Sequence, residues 1–272
     1  MRYIRVGVLI LFILGIGLYG IAGYKEKEGI DPTRPVLTSD TEILEISCNY
    51  TEEELFAGLH AEDERDGDLT GEIMLGDLSR FQEPGRCKAT YVVFDSANQA
   101  ATLTREVVFT DYNSPHFTLS QPLVFTKETA GNAPQYVGAS DMLDGDISSL
   151  VRLVEQDINY MAAGDYSMQM EVTNSFGDLA EITLPVHVVE PAERRLSIDL
   201  RDAILYLEQG ESFDPASFVE SVSSMDGTVL DTDIVAAESG VDTSMPGCYE
   251  VQYTASLDNG DMGVTWLVVI VE

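Results

Sequence analysis

Clustered carboxylates are the residues of this chain whose type and spacing could bind a metal ion. Two groups of three share one spacing, Asp63, Asp66 and Asp68, then Asp141, Asp144 and Asp146. Calcium favours such hard oxygen ligands. The alternative is turn chemistry, in which Asp accepts hydrogen bonds from nearby N–H groups and the adjacent glycine takes a positive φ. A third turn has Thr228 in place of its second Asp, and no group fits the helix-loop-helix calcium pattern. We therefore expect turns, with no metal and no cofactor.

Three cysteines offer a second kind of chemistry. Cys87 is predicted to point inward from a strand, and Cys48 lies on an earlier strand of the same segment. A disulfide between them would join two sheets and, for a loop of this length, stabilise the fold by about 3 to 4 kcal/mol. Two buried thiols are the alternative. Cys248 falls on an outward face, as a free thiol or as a link between two chains.

Catalysis and nucleic-acid binding find little support in the sequence. The histidines, His60, His116 and His187, fall at unrelated places, and His187 is predicted to face outward from its strand. The sequence contains no phosphate loop, zinc spacing or nucleophile elbow. With 47 acidic and 15 basic residues the formal charge is −32, which repels phosphate backbones. We expect a non-enzymatic protein without a nucleic-acid partner.

The segments that carry these residues occur three times along the chain. An Asp-Gly turn at 66–67, 144–145 or 226–227 precedes a glycine at 85, 164 or 247, and an apolar residue closes each copy at 109, 188 or 271. The interval from that glycine to the closing residue is 24 positions in every copy. A fixed repeat of domain size indicates tandem copies of one fold.

Alternation within each copy predicts strands. After Gly247, the residues Tyr249, Val251 and Tyr253 share one face, which is the period of a half-buried strand. A short turn and a second strand complete a hairpin. Stretches at 42–47, 123–127 and 203–207 add short strands, and 51–55 and 215–222 could form single helical turns. We predict an all-β fold of three tandem antiparallel β-sandwiches, repeat 1 (36–112), repeat 2 (116–190) and repeat 3 (195–272).

Residues 1–28 differ from the rest of the chain. Val6–Tyr24 contains 19 residues without a charge, and a helix of that length spans about 29 Å, close to the hydrocarbon thickness of a bilayer. We expect an N-terminal transmembrane helix, with the bulk of the chain outside the cell. The alternative is a cleaved signal peptide and secretion, because Gly20-Ile21-Ala22 offers small residues for cleavage. Residues 29–35, with two prolines and a glycine, are predicted to form a linker.

Three segments resemble the bacterial surface immunoglobulin-like repeat family: DERDGDLTGEI at 63–73, PGRCKATYVVFDSANQAAT at 84–102 and VDTSMPGCYEVQYTA at 241–255. The resemblance implies Ig-like domains on a bacterial cell surface, without a common catalytic activity. We expect a monomeric, membrane-tethered stalk with a structural or adhesive role. The alternative is a module that binds a surface glycan or protein. Repeat 3, furthest from the membrane, would then carry recognition, with Trp266 either exposed to stack on a sugar or buried in the core.

Overall fold

The structure is a computed structural model that describes residues 15–16 and 32–272. The predicted transmembrane segment, Val6–Tyr24, therefore lies outside the described residues except for Gly15 and Ile16, which are helical. In the described part of the chain, no helix is long and apolar enough to cross a membrane. Residues 32–272 are all-β apart from short 3-10 helices, which agrees with the predicted fold class.

Repeat 1 pairs a three-stranded sheet (order β1-β3-β4) with a four-stranded sheet (order β2-β7-β6-β5). Its strands are β1 (Val36–Ser39), β2 (Ile43–Ile46), β3 (Leu59–Asp63), β4 (Gly67–Asp68), β5 (Met74–Leu78), β6 (Arg86–Phe94) and β7 (Ala100–Phe109). Its 3-10 helices are Glu52–Phe56 and Thr70–Glu72.

Repeat 2 has the same two sheets, ordered β8-β10-β11 and β9-β14-β13-β12. Its strands are β8 (His116–Leu119), β9 (Val124–Thr126), β10 (Val137–Asp141), β11 (Gly145–Asp146), β12 (Arg152–Gln156), β13 (Gly164–Thr173) and β14 (Leu179–Val189). Its 3-10 helices are Ala133–Tyr136 and Ser148–Leu150.

Repeat 3 is ordered β15-β17-β18 and β16-β21-β20-β19. Its strands are β15 (Leu196–Leu200), β16 (Ile204–Leu207), β17 (Val219–Ser224), β18 (Val229–Leu230), β19 (Val235–Ser239), β20 (Gly247–Ser256) and β21 (Met262–Val271). Its 3-10 helices are Pro215–Phe218 and Thr232–Ile234, and a further one, Pro191–Glu193, lies between repeats 2 and 3. The turns predicted at 51–55 and 215–222 thus correspond to Glu52–Phe56 and Pro215–Phe218.

The constant interval of 24 residues is the register of a hairpin. Gly164 pairs with Val188 across β13 and β14, and Gly247 pairs with Val271 across β20 and β21. In repeat 1 the N–H of Phe109 donates to the carbonyl of Gly85 at 2.8 Å. Because paired residues fix strand and loop lengths together, the three copies keep one interval.

One strand in each repeat departs from the predicted antiparallel arrangement. β2, β9 and β16 pair in parallel with β7, β14 and β21. In repeat 1 the chain crosses over residues 40–42 from the sheet of β1 to the sheet of β2, as strands that switch sheets at a bend do. The sequence pattern predicted the positions of these short strands. It does not indicate which strand each one pairs with, or in which direction.

A buried tyrosine fixes the 3-10 turn in repeats 1 and 3. Tyr91 donates its O–H to the carbonyl of Leu55 at 2.6 Å, and Tyr253 donates to that of Pro215 at 2.8 Å. Both tyrosine side chains are fully buried. Each therefore combines core packing with a hydrogen bond that a buried hydroxyl requires. Repeat 2 has Met170 at this position.

The described fold separates into two compact units, one that ends at Asp111 and one that comprises Tyr112–Glu272. Repeats 2 and 3 thus share one unit. Each has its own core, around Met168 and Leu184 in repeat 2 and around Tyr253 and Leu267 in repeat 3.

Candidate functional site

The aspartates of the turn in repeat 1 accept hydrogen bonds from the surrounding loops. Asp63 Oδ1 accepts from the N–H groups of Arg65, at 2.8 Å, and Asp66, at 3.0 Å. Asp66 accepts from the N–H and the hydroxyl of Ser96, at 2.8 and 2.9 Å. The turn between β3 and β4 is thereby tied to the loop between β6 and β7.

Repeat 2 reproduces these bonds. Asp141 Oδ1 accepts from the N–H groups of Leu143 and Asp144, both at 2.9 Å. Asp144 accepts from the N–H and the hydroxyl of Ser175, at 2.6 and 2.7 Å. The same contacts in two copies show that the local fold, and not chance, places each carboxylate.

The last aspartate of each group bonds the residue two positions further on. Asp68 and Asp146 accept from the N–H groups of Thr70 and Ser148, at 2.9 and 3.0 Å. Side-chain and backbone hydrogen bonds from those residues lower the pKa of both carboxyls. In repeat 3 the hydroxyl of Ser224 and the N–H of Thr228 hold the pKa of Asp226 at about 2. These contacts are those of the predicted turns.

A partly buried polar network lies behind the turn of repeat 2. Asn174 Nδ2 donates to Asp141 Oδ2 at 3.0 Å and to the hydroxyl of Tyr112 at 2.8 Å. That hydroxyl donates to Asp178 Oδ2 at 2.8 Å. Burial, then the bond to Asp178 and the charge of Asp141, raise the pKa of Tyr112. Each of these donors has an acceptor, so the network is satisfied.

Repeat 1 has Asp95 where repeat 2 has Asn174, ten positions after the glycine at 85 or 164. Asp63 and Asp95 are each 6% exposed. The Oδ2 atom of each is buried and has no hydrogen-bond partner among the described residues. The sequence interpretation missed Asp95, although aligning the copies on that glycine would have found the change. In the described part of the chain, no three His, Cys, Asp or Glu side chains converge as a metal site.

The two cysteines of the predicted disulfide are both buried in repeat 1. Cys87 is 1% exposed, as its inward position predicted, and Cys48 is 8% exposed. Burial raises the pKa of the Cys87 thiol to about 11. Burial and then the charges of Cys87 and Cys48 raise the pKa of Tyr50, so both thiols lie near one hydroxyl. The bond between them stays a prediction.

Cys248 is exposed, as the alternation of its strand predicted. The pKa of its thiol is raised to about 11. The larger cause is partial desolvation by neighbouring groups, and the smaller is the negative charge of Glu250. A thiol with that pKa has little reactive thiolate at neutral pH.

One strand of repeat 3, β21, is buried on both faces. Leu267 and Val269 belong to the core of repeat 3. On the opposite face, Val264 and Trp266 pack with residues of repeat 2, while Val268 joins its core. The signal was present in the sequence, because a strand with apolar residues on both faces indicates burial on both.

His187 lies at the centre of this junction between repeats 2 and 3. Its Nδ1 is 2.8 Å from Asp165 Oδ1, its Nε2 is 2.7 Å from Glu250 Oε1, and its ring stacks on Trp266 with centroids 3.9 Å apart. His187 is buried. Burial disfavours its charged form, but the bonds and charges of Glu250 and Asp165 outweigh that effect and raise its pKa.

Two sequence expectations are corrected at this junction. His187 does face away from the core of its own repeat, but repeat 3 covers it. Trp266 is half-buried against His187, and is neither an exposed sugar platform nor part of the core of repeat 3. Alternation within one repeat shows which residues face outward from its core. It does not show which of those residues the next repeat covers.

A second stack supports the junction. The rings of His116 and Tyr206 are parallel, with centroids 4.0 Å apart, and His116 Nε2 lies 3.2 Å from Glu272 Oε1. The Tyr206 hydroxyl accepts from the N–H of Phe117 at 2.8 Å. His60, the third histidine, is exposed in repeat 1 and lies 3.4 Å from Asp40.

A polar cleft of about 490 Å³ lies beside the junction. Residues of both repeats line it, including Gln121 and Pro122 from repeat 2 and Arg201 and Asp202 from repeat 3. Its backbone and side-chain groups offer donors and acceptors to a polar ligand.

No protein-family model matches the chain. The chain is 29% identical over 201 residues to the pesticidal crystal protein Cry22Aa of Bacillus thuringiensis, covering 71% of this chain and 27% of that protein. It is 26% identical over 136 residues to an uncharacterized 81.3 kDa protein of Acholeplasma phage L2, covering 49% and 18%. The chain thus spans about a quarter of the length of the first relative and less than a fifth of the second.

Solved structures of multidomain proteins show only a remote likeness. The carbohydrate-binding and INT domains of Clostridium perfringens ZmpB match at 15% identity and a TM-score of 0.25, over 55% of this chain and 26% of that one. Human CDH23 EC21-23 matches at 10% identity and a TM-score of 0.21, over 87% and 100%.

Proposed function

We propose that the chain is a non-enzymatic bacterial surface protein in which Ig-like sandwiches form a stalk with a structural or adhesive role. The observation that carries the proposal is the two-sided burial of β21, which docks repeat 3 on repeat 2 through Val264, Trp266 and Val268. An apolar junction between neighbouring domains limits their relative motion, which suits a stalk. The match to a Bacillus protein supports a bacterial origin.

The docking can be tested by nuclear spin relaxation of the chain. Repeats 2 and 3 are expected to tumble with one correlation time, because an apolar junction restrains them. Val268→Asp places a charge in that junction and should give the two repeats separate correlation times. Thr104→Asp is the matched control, since it adds a charge on an outward, solvated position of repeat 1. Independent tumbling in the unaltered protein would refute the stalk.

We propose that residues 1–28 anchor the protein and that repeats 1 to 3 lie outside the cell. Protease treatment of intact bacteria should remove the repeats and leave a membrane-bound N-terminal fragment. Release into the medium of a chain that lacks the N-terminal segment would support the cleaved signal peptide, and protection of the repeats would refute export.

The second candidate function is binding of a surface glycan or protein, which the polar cleft favours. Its lining by Gln121, Arg201 and Asp202 suits hydrogen bonding to sugar hydroxyls. Trp266 is an unsuitable platform because the ring of His187 covers one face. A glycan array with the full chain tests this function. Binding that is lost in Asp202→Asn would support it, and the absence of any bound glycan would leave the structural role.

A further inference from the structure

Two buried carboxylates of repeat 1 each have one oxygen without a donor. Asp63 and Asp95 are each 6% exposed, so more than nine-tenths of each residue is buried. The Oδ2 atom of each has no hydrogen-bond partner in the described chain. The Oδ1 atoms are occupied. Asp63 Oδ1 accepts two N–H groups, and Asp95 Oδ1 accepts those of Ala97 and Gln99 at 2.8 and 2.7 Å. A buried carboxylate oxygen without a partner is costly, so these two oxygens require a positive group.

Repeat 2 shows what the two oxygens face. Asp141 Oδ1 accepts from the N–H groups two and three positions on, as Asp63 Oδ1 does. Asn174 Oδ1 accepts from the N–H four positions on, as Asp95 Oδ1 does. The remaining atoms, Asp141 Oδ2 and Asn174 Nδ2, bond each other at 3.0 Å. By this correspondence, Asp63 Oδ2 and Asp95 Oδ2 point at each other, with an oxygen in place of the amide donor.

We propose that repeat 1 binds a calcium ion between Asp63 Oδ2 and Asp95 Oδ2. Calcium accepts carboxylate oxygens in flexible geometry, whereas magnesium requires a near-ideal octahedron. Asp66, tied to Ser96 beside Asp95, adds a further negative charge. The hydrogen bonds of the turn use the Oδ1 atoms, and the ion would bind the Oδ2 atoms. The turn and the calcium site are therefore compatible. Repeat 2 has an amide in this place and does not bind the ion.

The number of protein carboxylates sets the expected affinity. Two such ligands, with water completing the shell, place the site among weak extracellular calcium sites, with Kd on the order of 10⁻⁴ to 10⁻³ M. For Kd about 1 mM, 5 mM calcium shifts the equilibrium of local opening about sixfold toward the closed state. Amide hydrogen exchange of the full chain measures this shift directly.

The experiment compares exchange in 5 mM CaCl₂ and in chelator, at constant ionic strength and pH 7. Peptides from 59–68 and 94–100 should exchange about sixfold more slowly with calcium, while their counterparts at 137–146 and 173–179 should not change. Asp95→Asn rebuilds the pair of repeat 2 and should remove the calcium effect without loosening repeat 1. Asn174→Asp should confer the effect on repeat 2.

Two outcomes would overturn the proposal. One is equal exchange with calcium and chelator in the unaltered chain. Another is an undiminished calcium effect in Asp95→Asn, which would place the ion elsewhere on this acidic surface.

Discussion

The ion pairs of His187 predict that docking of repeats 2 and 3 weakens as pH rises. Both partners, Asp165 and Glu250, are acceptors when ionised, so both bonds are made only by the imidazolium, which donates from each nitrogen. The pKa of His187 in the folded protein is raised above its ordinary value of 6.5. When the pKa of a group is higher in the folded than in the unfolded protein, the group contributes its full stabilisation at pH values below the unfolded-state pKa. That stabilisation is lost as the pH rises through the folded-state pKa. Docking is therefore strongest below about pH 6.5.

Substituting each partner in turn separates their contributions. The two distances are alike, 2.7 Å to Glu250 and 2.8 Å to Asp165, but the side chain of Glu250 is 29% exposed and that of Asp165 is 86% exposed. A hydrogen bond to a charged group in a partly buried site contributes about 1.5–3 kcal/mol, whereas an exposed ion pair contributes about 0.2–1 kcal/mol. At pH 6, Glu250→Gln should cost about 1.5–3 kcal/mol, and Asp165→Asn clearly less.

Trp266 makes the measurement specific. It is the one tryptophan in the sequence, and its ring stacks on His187, so its fluorescence reports on this junction. Urea unfolding followed at pH 6 and pH 9 should show a smaller cost of Glu250→Gln at pH 9, where the neutral imidazole keeps one N–H donor but carries no charge. His187→Gln serves as control and should remove most of the difference between the two pH values. Equal losses for both carboxylate variants at pH 6, or a Glu250→Gln loss that is as large at pH 9 as at pH 6, would refute the assignment.

Three further predictions concern single contacts. Tyr253→Phe leaves the carbonyl of Pro215 without its donor and should lower the free energy of unfolding of repeat 3 by about 1–3 kcal/mol, measured by urea denaturation. The bond predicted between Cys48 and Cys87 should appear in mass spectrometry of the oxidised protein and add about 3 to 4 kcal/mol; recovery of both as thiols would contradict it. Gly263→Ala should cost about 1–3 kcal/mol by calorimetry, because a Cβ there would lie 2.7 Å from a main-chain oxygen.

The sequence was sufficient for the architecture because alternation and repetition are local properties. The hairpin pairs, such as Gly247 with Val271, follow from a spacing that is constant in three copies. The parallel pairing of β16 with β21 does not follow, since a four-residue strand carries no signal for its partner. The junction was missed for a related reason. His187 and Trp266 come from different repeats, and their contact depends on how two finished sandwiches meet.

Comparison of the copies at one equivalent position indicates how the repeats have diverged. The position ten residues after the strand-entry glycine is Asp95 in repeat 1, Asn174 in repeat 2 and Leu257 in repeat 3. The amide completes a hydrogen-bonded network with Tyr112, and the leucine packs against the core of repeat 3. A scaffold that needs only stability has no reason to place a second carboxylate there, because burial of two opposed acids destabilises it unless a cation is supplied. On the calcium proposal, Asp95 is the position at which repeat 1 gains a role beyond that of a scaffold.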